Sequence, residues 1–214
     1  MARTPGSIKA ETHERIVKTA ARAIREQGYS GASVADVMQQ AGLTHGGFYA
    51  HFESRDAMLE EAVDCAAGEG RARLAAVGER AEPGRGLEAI VGSYLSDRHV
   101  EHPGSGCTLA ALGSETARQA PALRRIATRQ VRGLASLLAA QLPGGDTPDN
   151  RNRALIALCG MVGALSLARA VDDPELSRAL RDAVARSITG DDARTDARDL
   201  APAPRRRRRR RRAG

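Results

Sequence analysis

Apolar residues in this chain recur at three- and four-residue intervals and nowhere alternate with period two, so the surfaces available for burial are helical stripes. Ile16, Val17, Ala20, Ala21 and Ile24 mark the first stripe, on a segment opened by Thr12 and closed by Gly28. Ser33-Val-Ala-Asp36 has the pattern of a capping box with Asp in place of Glu. It opens a second helix of about two turns that turns Val34, Val37 and Met38 inward and stops at Gly42. Thr44 is placed to cap a third, short helix through Phe48, Tyr49 and Phe52, and Ser54 a fourth that begins at Arg55. The helical segments beyond are about 55–80, 86–102, 106–119, 122–142, 150–171 and 174–189, punctuated by Pro83-Gly84, Pro103-Gly104, Pro121, Pro143-Gly-Gly and Pro174. The expected fold is all-α with about nine helices: a helix-turn-helix unit over 1–54, a helical domain over 55–189, and an aperiodic, charged tail over 190–214 that reads as disordered.

Charge sharpens this division. Eight of the 33 basic residues form the unbroken run Arg205–Arg212, and without it 25 basic residues face 26 acidic ones. The net charge of +7 therefore belongs to the tail, and the body is close to neutral. Of the five aromatics, Tyr29, Phe48, Tyr49 and Phe52 fall within the helix-turn-helix region and only Tyr94 lies beyond it. Three widely spaced cysteines, Cys65, Cys107 and Cys159, suggest neither a disulfide framework nor a zinc ribbon and fit a reducing compartment. No signal peptide is evident. The longest uncharged apolar run, Ala154–Ala168, has 15 residues against the roughly 20 of a membrane span, so a cytoplasmic chain without membrane contact is expected.

The pattern Thr12-x-x-x-Ile16, Gly28-Tyr29, Ser33-Val34-x-x-Val37, Ala41-Gly42-Leu43-Thr44-x-Gly46-x-Phe48-Tyr49-x-His51-Phe52-x-Ser54-Arg55-Asp56-x-x-Leu59 resembles the N-terminal DNA-binding domain of TetR/AcrR-type transcriptional repressors over about residues 10–60. Ile24 and Met38 stand where that family more often has Phe and Ala, and Glu53 where a basic or neutral residue is common. The resemblance implies a homodimer whose two helix-turn-helix units bind a palindromic double-stranded DNA operator, released by a small-molecule effector, with no cofactor. It also implies DNA contacts by Ser33, Thr44, His45, Gly46, Gly47, Tyr49, His51 and Arg55.

Physical chemistry supports several of these assignments. A short helix in the major groove offers its first residues to base edges, which places Thr44 and His45 as readers. Gly46 and Gly47 are poor helix formers but let the backbone approach DNA closely. Phe48 and Phe52, four apart, face the core together. Tyr49 and His51 point elsewhere with polar tips that suit phosphate, or that are simply solvated. Arg55 opens the fourth helix, where the dipole adds attraction for a phosphate. Arg3 and Lys9 form either a backbone-contacting arm or a mobile terminus.

The remainder follows the family in layout, and Pro103–Leu112 is similar to a segment in some members. Ala157, Gly160, Ala164 and Ala168 form a small-residue stripe beside Met161 and Leu165. Leu176, Leu180 and Val184 line the next helix, and together these suit either a monomer core or a dimer four-helix bundle. Tyr94, His99, His102 and Cys107 are candidate ligand or sensor residues: Cys107 opens a helix near two histidines, although an inert packed thiol is the simpler reading. The same His99, His102 and Cys107 make an incomplete metal set, and no metal is expected. No nucleophile elbow, Walker motif, HExxH or complete dinucleotide fingerprint is present, so no enzyme is expected. The rival reading is a nonspecific or architectural DNA-binding protein driven by the arginine tail.

Overall fold

The computed structural model describes residues 5–190, in which nine α-helices and two short 3-10 segments account for the regular structure. Arg3 and the segment 191–214 with its arginine run lie outside the described residues. The helices are α1 (Pro5–Gly31), α2 (Val34–Gln40), α3 (Arg55–Arg80), α4 (Gly86–Tyr94), α5 (Asp97–Glu101), α6 (Thr108–Thr116), α7 (Pro121–Ala140), α8 (Pro148–Ala170) and α9 (Pro174–Thr189). The 3-10 segments are His45–Ala50 and Pro103–Ser105.

Side-chain caps set most of the starts. Ser33, Ser54, Ser96, Thr147 and Asp173 each accept a backbone N–H from the first turn that follows, satisfying donors a helix cannot satisfy itself. Three features depart from expectation. α1 begins at Pro5 rather than Thr12, which places Lys9 on a helix instead of a loose arm. The segment expected as one helix over 86–102 is broken at Leu95, because Ser96 caps a separate α5 and its own hydroxyl turns back to the Ser93 carbonyl, 2.9 Å away. The third helix is a 3-10 segment that ends at Ala50.

Two apolar clusters hold these helices. The first surrounds α1: Ile16, Ala20, Ile24, Val37, Met38, Phe48, Phe52, Met58 and Leu59 are buried together, and Leu112 of α6 with Leu123 and Ile126 of α7 complete it. The second joins α4, α7 and α8 through Ile90, Val91, Tyr94, Leu134, Leu138, Leu158, Met161 and Leu165, with Val184 and Ile188 of α9 against it. α3 is continuous for 26 residues, buries Met58 to Ala66 in the first cluster and reaches the second with Leu74 and Val77.

A polar seam reinforces the first cluster. At Gly28 the backbone leaves helical geometry (φ 76°, ψ 175°), a conformation that favours glycine, and an added Cβ would sit 2.7 Å from Glu115 Oε1. The Tyr29 N–H freed by this break donates to Glu115 Oε2 at 3.0 Å. Thr116 Oγ1 gives its single proton to the Leu112 carbonyl at 2.8 Å, so the Tyr29 phenol must donate to Thr116 Oγ1, 3.1 Å away.

α8 is long and apolar enough to cross a membrane by length and composition. Its Ala154, Ala157, Met161, Ala164, Leu165 and Ala168 line is nevertheless buried inside the chain. This corrects the small-residue stripe as a dimer surface. Those residues, with Gly160, face the chain's own helices, and a Cβ on Gly160 would lie 3.2 Å from Val184 Cγ1 of α9. Leu180 and Val184 are half-buried, whereas Leu176 is exposed.

Candidate nucleic-acid interface

α2 ends at Gln40 with Ala41 as its C-cap, and Gly42 turns the chain with φ 71°, its N–H bonded to the Gln39 carbonyl at 2.9 Å and that of Leu43 to the Met38 carbonyl at 2.9 Å. The 3-10 segment then leaves in a new direction, anchored by Phe48 and Phe52, which stack with centroids 5.4 Å apart inside the first cluster. Burying these two rings leaves Thr44, His45, Gly46, Tyr49 and Ala50 on one solvent-facing surface.

Each proposed DNA-contacting residue has a definite position here. Thr44 takes the extended N-cap conformation but its hydroxyl makes no capping bond, a correction to its expected double role that leaves the hydroxyl facing solvent. His45 is exposed. Tyr49, with 71% of its surface accessible, packs edge-on against Phe48 and holds its phenol outward. A Cβ on Gly46 would touch nothing within 4 Å, and one on Gly47 would meet only ordinary contacts with Met38 Cε and Thr44 Oγ1. Both have negative φ, so nothing inside the chain requires glycine at either position. A requirement from outside, close approach of another molecule's backbone, is the remaining physical reason for two adjacent helix-weakening residues.

The polar residues at the edge are more committed than the sequence indicated. Ser33 Oγ accepts the Asp36 N–H at 3.1 Å and donates to Asp36 Oδ2 at 2.6 Å, so its hydroxyl serves α2. Arg55 Nη2 donates to the carbonyl oxygens of Tyr29 and Ala32, the latter at 3.2 Å, and ties the start of α3 to the end of α1; a phosphate would have to share that guanidinium. His51 is half-buried, and its Nδ1 has no partner among the described residues. Burial, then the neighbouring charges of His13 and Lys9, lower its pKa. His13, which sequence reasoning missed, stacks on Phe52 at 4.6 Å and bonds Glu61 Oε2 of α3 at 2.6 Å. Pro5, a favoured first helical residue, was the available signal that α1 starts early enough to bring Lys9 to this edge.

The sensor candidates divide. Tyr94, His99 and Cys107 come together, whereas His102 is exposed and turns back to the Arg98 carbonyl at 3.0 Å. His99 Nδ1 lies 2.6 Å from the Tyr94 carbonyl and its Nε2 accepts the Cys107 N–H at 2.9 Å, which fixes a neutral ring with the proton on Nδ1. Burial lowers its pKa to about 4, aided by the positive charges of Arg169 and Arg73 and opposed by the bond to Tyr94. Cys107 is buried and accepts from Gln130 Nε2 at 3.8 Å, and Gln130 Oε1 accepts from Thr108 Oγ1 at 2.6 Å. The buried Tyr94 phenol has no partner at ordinary hydrogen-bond geometry among the described residues, and burial, then the neighbouring Cys107 thiol, holds its pKa well above the usual value. Among the described residues no group of histidines, cysteines and acids could hold a metal. Cys159 is exposed, and Cys65 is half-buried.

Comparison with known proteins agrees with this geometry. The profile of bacterial regulatory proteins of the tetR family matches residues 16–62, which span α1 from its first buried residue to the second turn of α3. An uncharacterised HTH-type transcriptional regulator of Mycobacterium tuberculosis is 35% identical over 167 residues, covering 73% of this chain and 83% of the relative. The chain belongs to the tetR family. A TetR transcriptional regulator from Chloroflexus aurantiacus superposes with a TM-score of 0.72 at 26% identity, over 85% of this chain and 96% of that one. Reduced NemR from Escherichia coli shares the fold at the same TM-score, 0.72, and 17% identity, over 84% and 96% of the two chains. DNA binding and transcription regulation are thus the coarse function of this tetR-family chain.

Two outcomes follow from the site. Gly46→Val should abolish DNA binding, by at least about a hundredfold, while leaving the far-ultraviolet circular dichroism unchanged, since the chain has room for the side chain and the DNA does not. For His99, the unfolded chain takes up a proton near pH 6.5 and the folded one only near 4, so its contribution is complete above 6.5 and is lost as pH falls toward 4, by at most about 3 kcal/mol. In urea unfolding, the stability gap between wild type and His99→Leu should be constant above pH 7 and shrink between 6.5 and 4.5; a pH-independent gap would contradict the assignment.

Proposed function

We propose that this tetR-family chain is a cytoplasmic, effector-responsive repressor that binds a palindromic operator as a homodimer. The observation that carries the DNA-reading part is the face Thr44–Ala50, where two glycines are unexplained by any internal contact and a threonine hydroxyl, a histidine and a tyrosine phenol stand free beside them. Thr44 and His45 reach base edges, the glycine backbone lies against the groove, and Tyr49 and His51 bind flanking phosphates. A dimer spaces two such faces about one helical turn of DNA apart. An effector that binds the DNA-free arrangement better by about 3 kcal/mol lowers operator affinity roughly a hundredfold.

The dimer face is the outward side of α8 with the start of α9. Ile156 is 74% exposed, Leu167 53%, Leu176 46% and Leu155 41%, a concentration of exposed aliphatic surface on two neighbouring helices. Cys159 and Gly163 lie between them on the same side of α8. Ile156→Glu should weaken self-association at least about tenfold in sedimentation velocity, with the helical content unchanged. A variant that stays dimeric would move the interface elsewhere.

Selection of binding sites from random duplex DNA tests the reading. A palindromic consensus is expected, bound at least about a thousandfold more tightly than bulk DNA. Deleting 205–214 should preserve that consensus and flatten the salt dependence of nonspecific binding, each lost phosphate contact removing about 0.9 from the log–log slope. Loss of the consensus with the tail would favour the architectural alternative.

A further inference from the structure

A groove between α6 and α7 lies apart from the Thr44–Ala50 surface. It occupies about 480 Å3 between α6 and α7 and is lined by Leu109, Gly113, Thr116, Ala117, Pro121, Arg124, Arg125, Ala127 and Thr128. That volume falls within the range of small-molecule sites. Its floor is aliphatic, and its two charged lining residues are both arginines.

Neither guanidinium group makes a hydrogen bond or ion pair among the described residues, whereas those of Arg22, Arg85, Arg129, Arg151 and Arg181 each find a carboxylate. Arg124 and Arg125 also stand in the first turns of α7, which carry no acid, at the helix end where positive charge is unfavourable. Glu115, the acid in this stretch of α6, is already committed to the Tyr29 N–H. An apolar trough edged by two uncompensated cations complements a molecule with a hydrocarbon body and one acid group.

We propose that the α6–α7 groove binds an amphipathic organic anion, its acid group held by Arg124 and Arg125 and its body seated on Leu109, Ala117 and Pro121. This names the effector class for the reading above and rests on that reading for its regulatory meaning. The walls connect directly to the DNA-binding half. Thr116, which lines the groove, receives the Tyr29 phenol, and Leu112, Leu123 and Ile126 on the same two helices are buried in the cluster around α1. Parting α6 from α7 therefore moves residues that position the helix-turn-helix.

The test uses two fluorescent probes on the full-length protein: 1-anilinonaphthalene-8-sulfonate, an amphipathic anion, and N-phenyl-1-naphthylamine, its uncharged analogue. Replacing both arginines (Arg124→Gln with Arg125→Gln) should weaken the anion at least tenfold and change the neutral probe less than twofold. Gly113→Phe should weaken both probes at least fivefold; a Cβ at 113 meets nothing within 4 Å, so the variant folds while its ring fills the groove. Unchanged anion affinity in the double variant, equal loss of both probes there, or indifference of both probes to Gly113→Phe would overturn the proposal. If the double variant fails to fold, Gly113→Phe alone decides, because probe bound on the exposed α8 face would not respond to it. The DNA selection described above involves no effector, so failure here and failure of the regulator reading are separate results.

Discussion

Everything in this structure depends on how the small helix-turn-helix closes its core. α2 and the 3-10 segment are too short to bury their own apolar faces, and Val37, Met38, Phe48 and Phe52 become a core only against α1 and α3. The far side of α1 is then covered by Leu112, Leu123 and Ile126, which arrive from about 80 to 110 residues further along the chain. Removing any of the three would leave a cavity costing roughly 2–5 kcal/mol, a large share of the stability of a domain this size. The helix-turn-helix is consequently packed against α6 and α7, and its orientation is set partly by these two helices.

Polar contacts make that packing directional. The break at Gly28 frees one N–H for Glu115 and aims one phenol at Thr116, so α1 and α6 meet in a single register. A hydrophobic contact alone would tolerate sliding, whereas two hydrogen bonds, one buried and one partly buried, would be lost by it. Arginines organise the other crossings. Arg181 donates to the Leu95 carbonyl at 2.7 Å and to Asp97 at 2.6 Å, Arg25 to the Gly106 carbonyl at 3.2 Å, and Arg73 to the Ser105 carbonyl at 2.6 Å. The connection between α4 and α6 is thereby tied to α1, α3 and α9 through its carbonyls. Arg25 and Arg169 each retain a buried nitrogen without a partner, which makes this the least satisfied polar region of the described chain.

The sequence by itself determined the helical class, the breakers between helices apart from the break at Leu95, and the grouping of Thr44, His45, Gly46 and Tyr49 on one short segment. These are local matters: a stripe every three or four residues, a capping hydroxyl and a glycine out of place can each be read within one turn of chain. What lies across the fold was not legible there. The stripe Ala157, Gly160, Ala164 and Ala168 announced that something packs closely on α8, but only the tertiary structure decided that the occupant is the chain's own α9, leaving Ile156 and Leu167 outward. Likewise Arg55 reads locally as a free cation at a helix start, yet it bonds carbonyls that lie 23 and 26 residues earlier. Periodicity reports that a face is buried and capping chemistry reports where a helix starts; neither encodes the identity of the partner, because that depends on contacts between segments whose separation in sequence leaves no local mark.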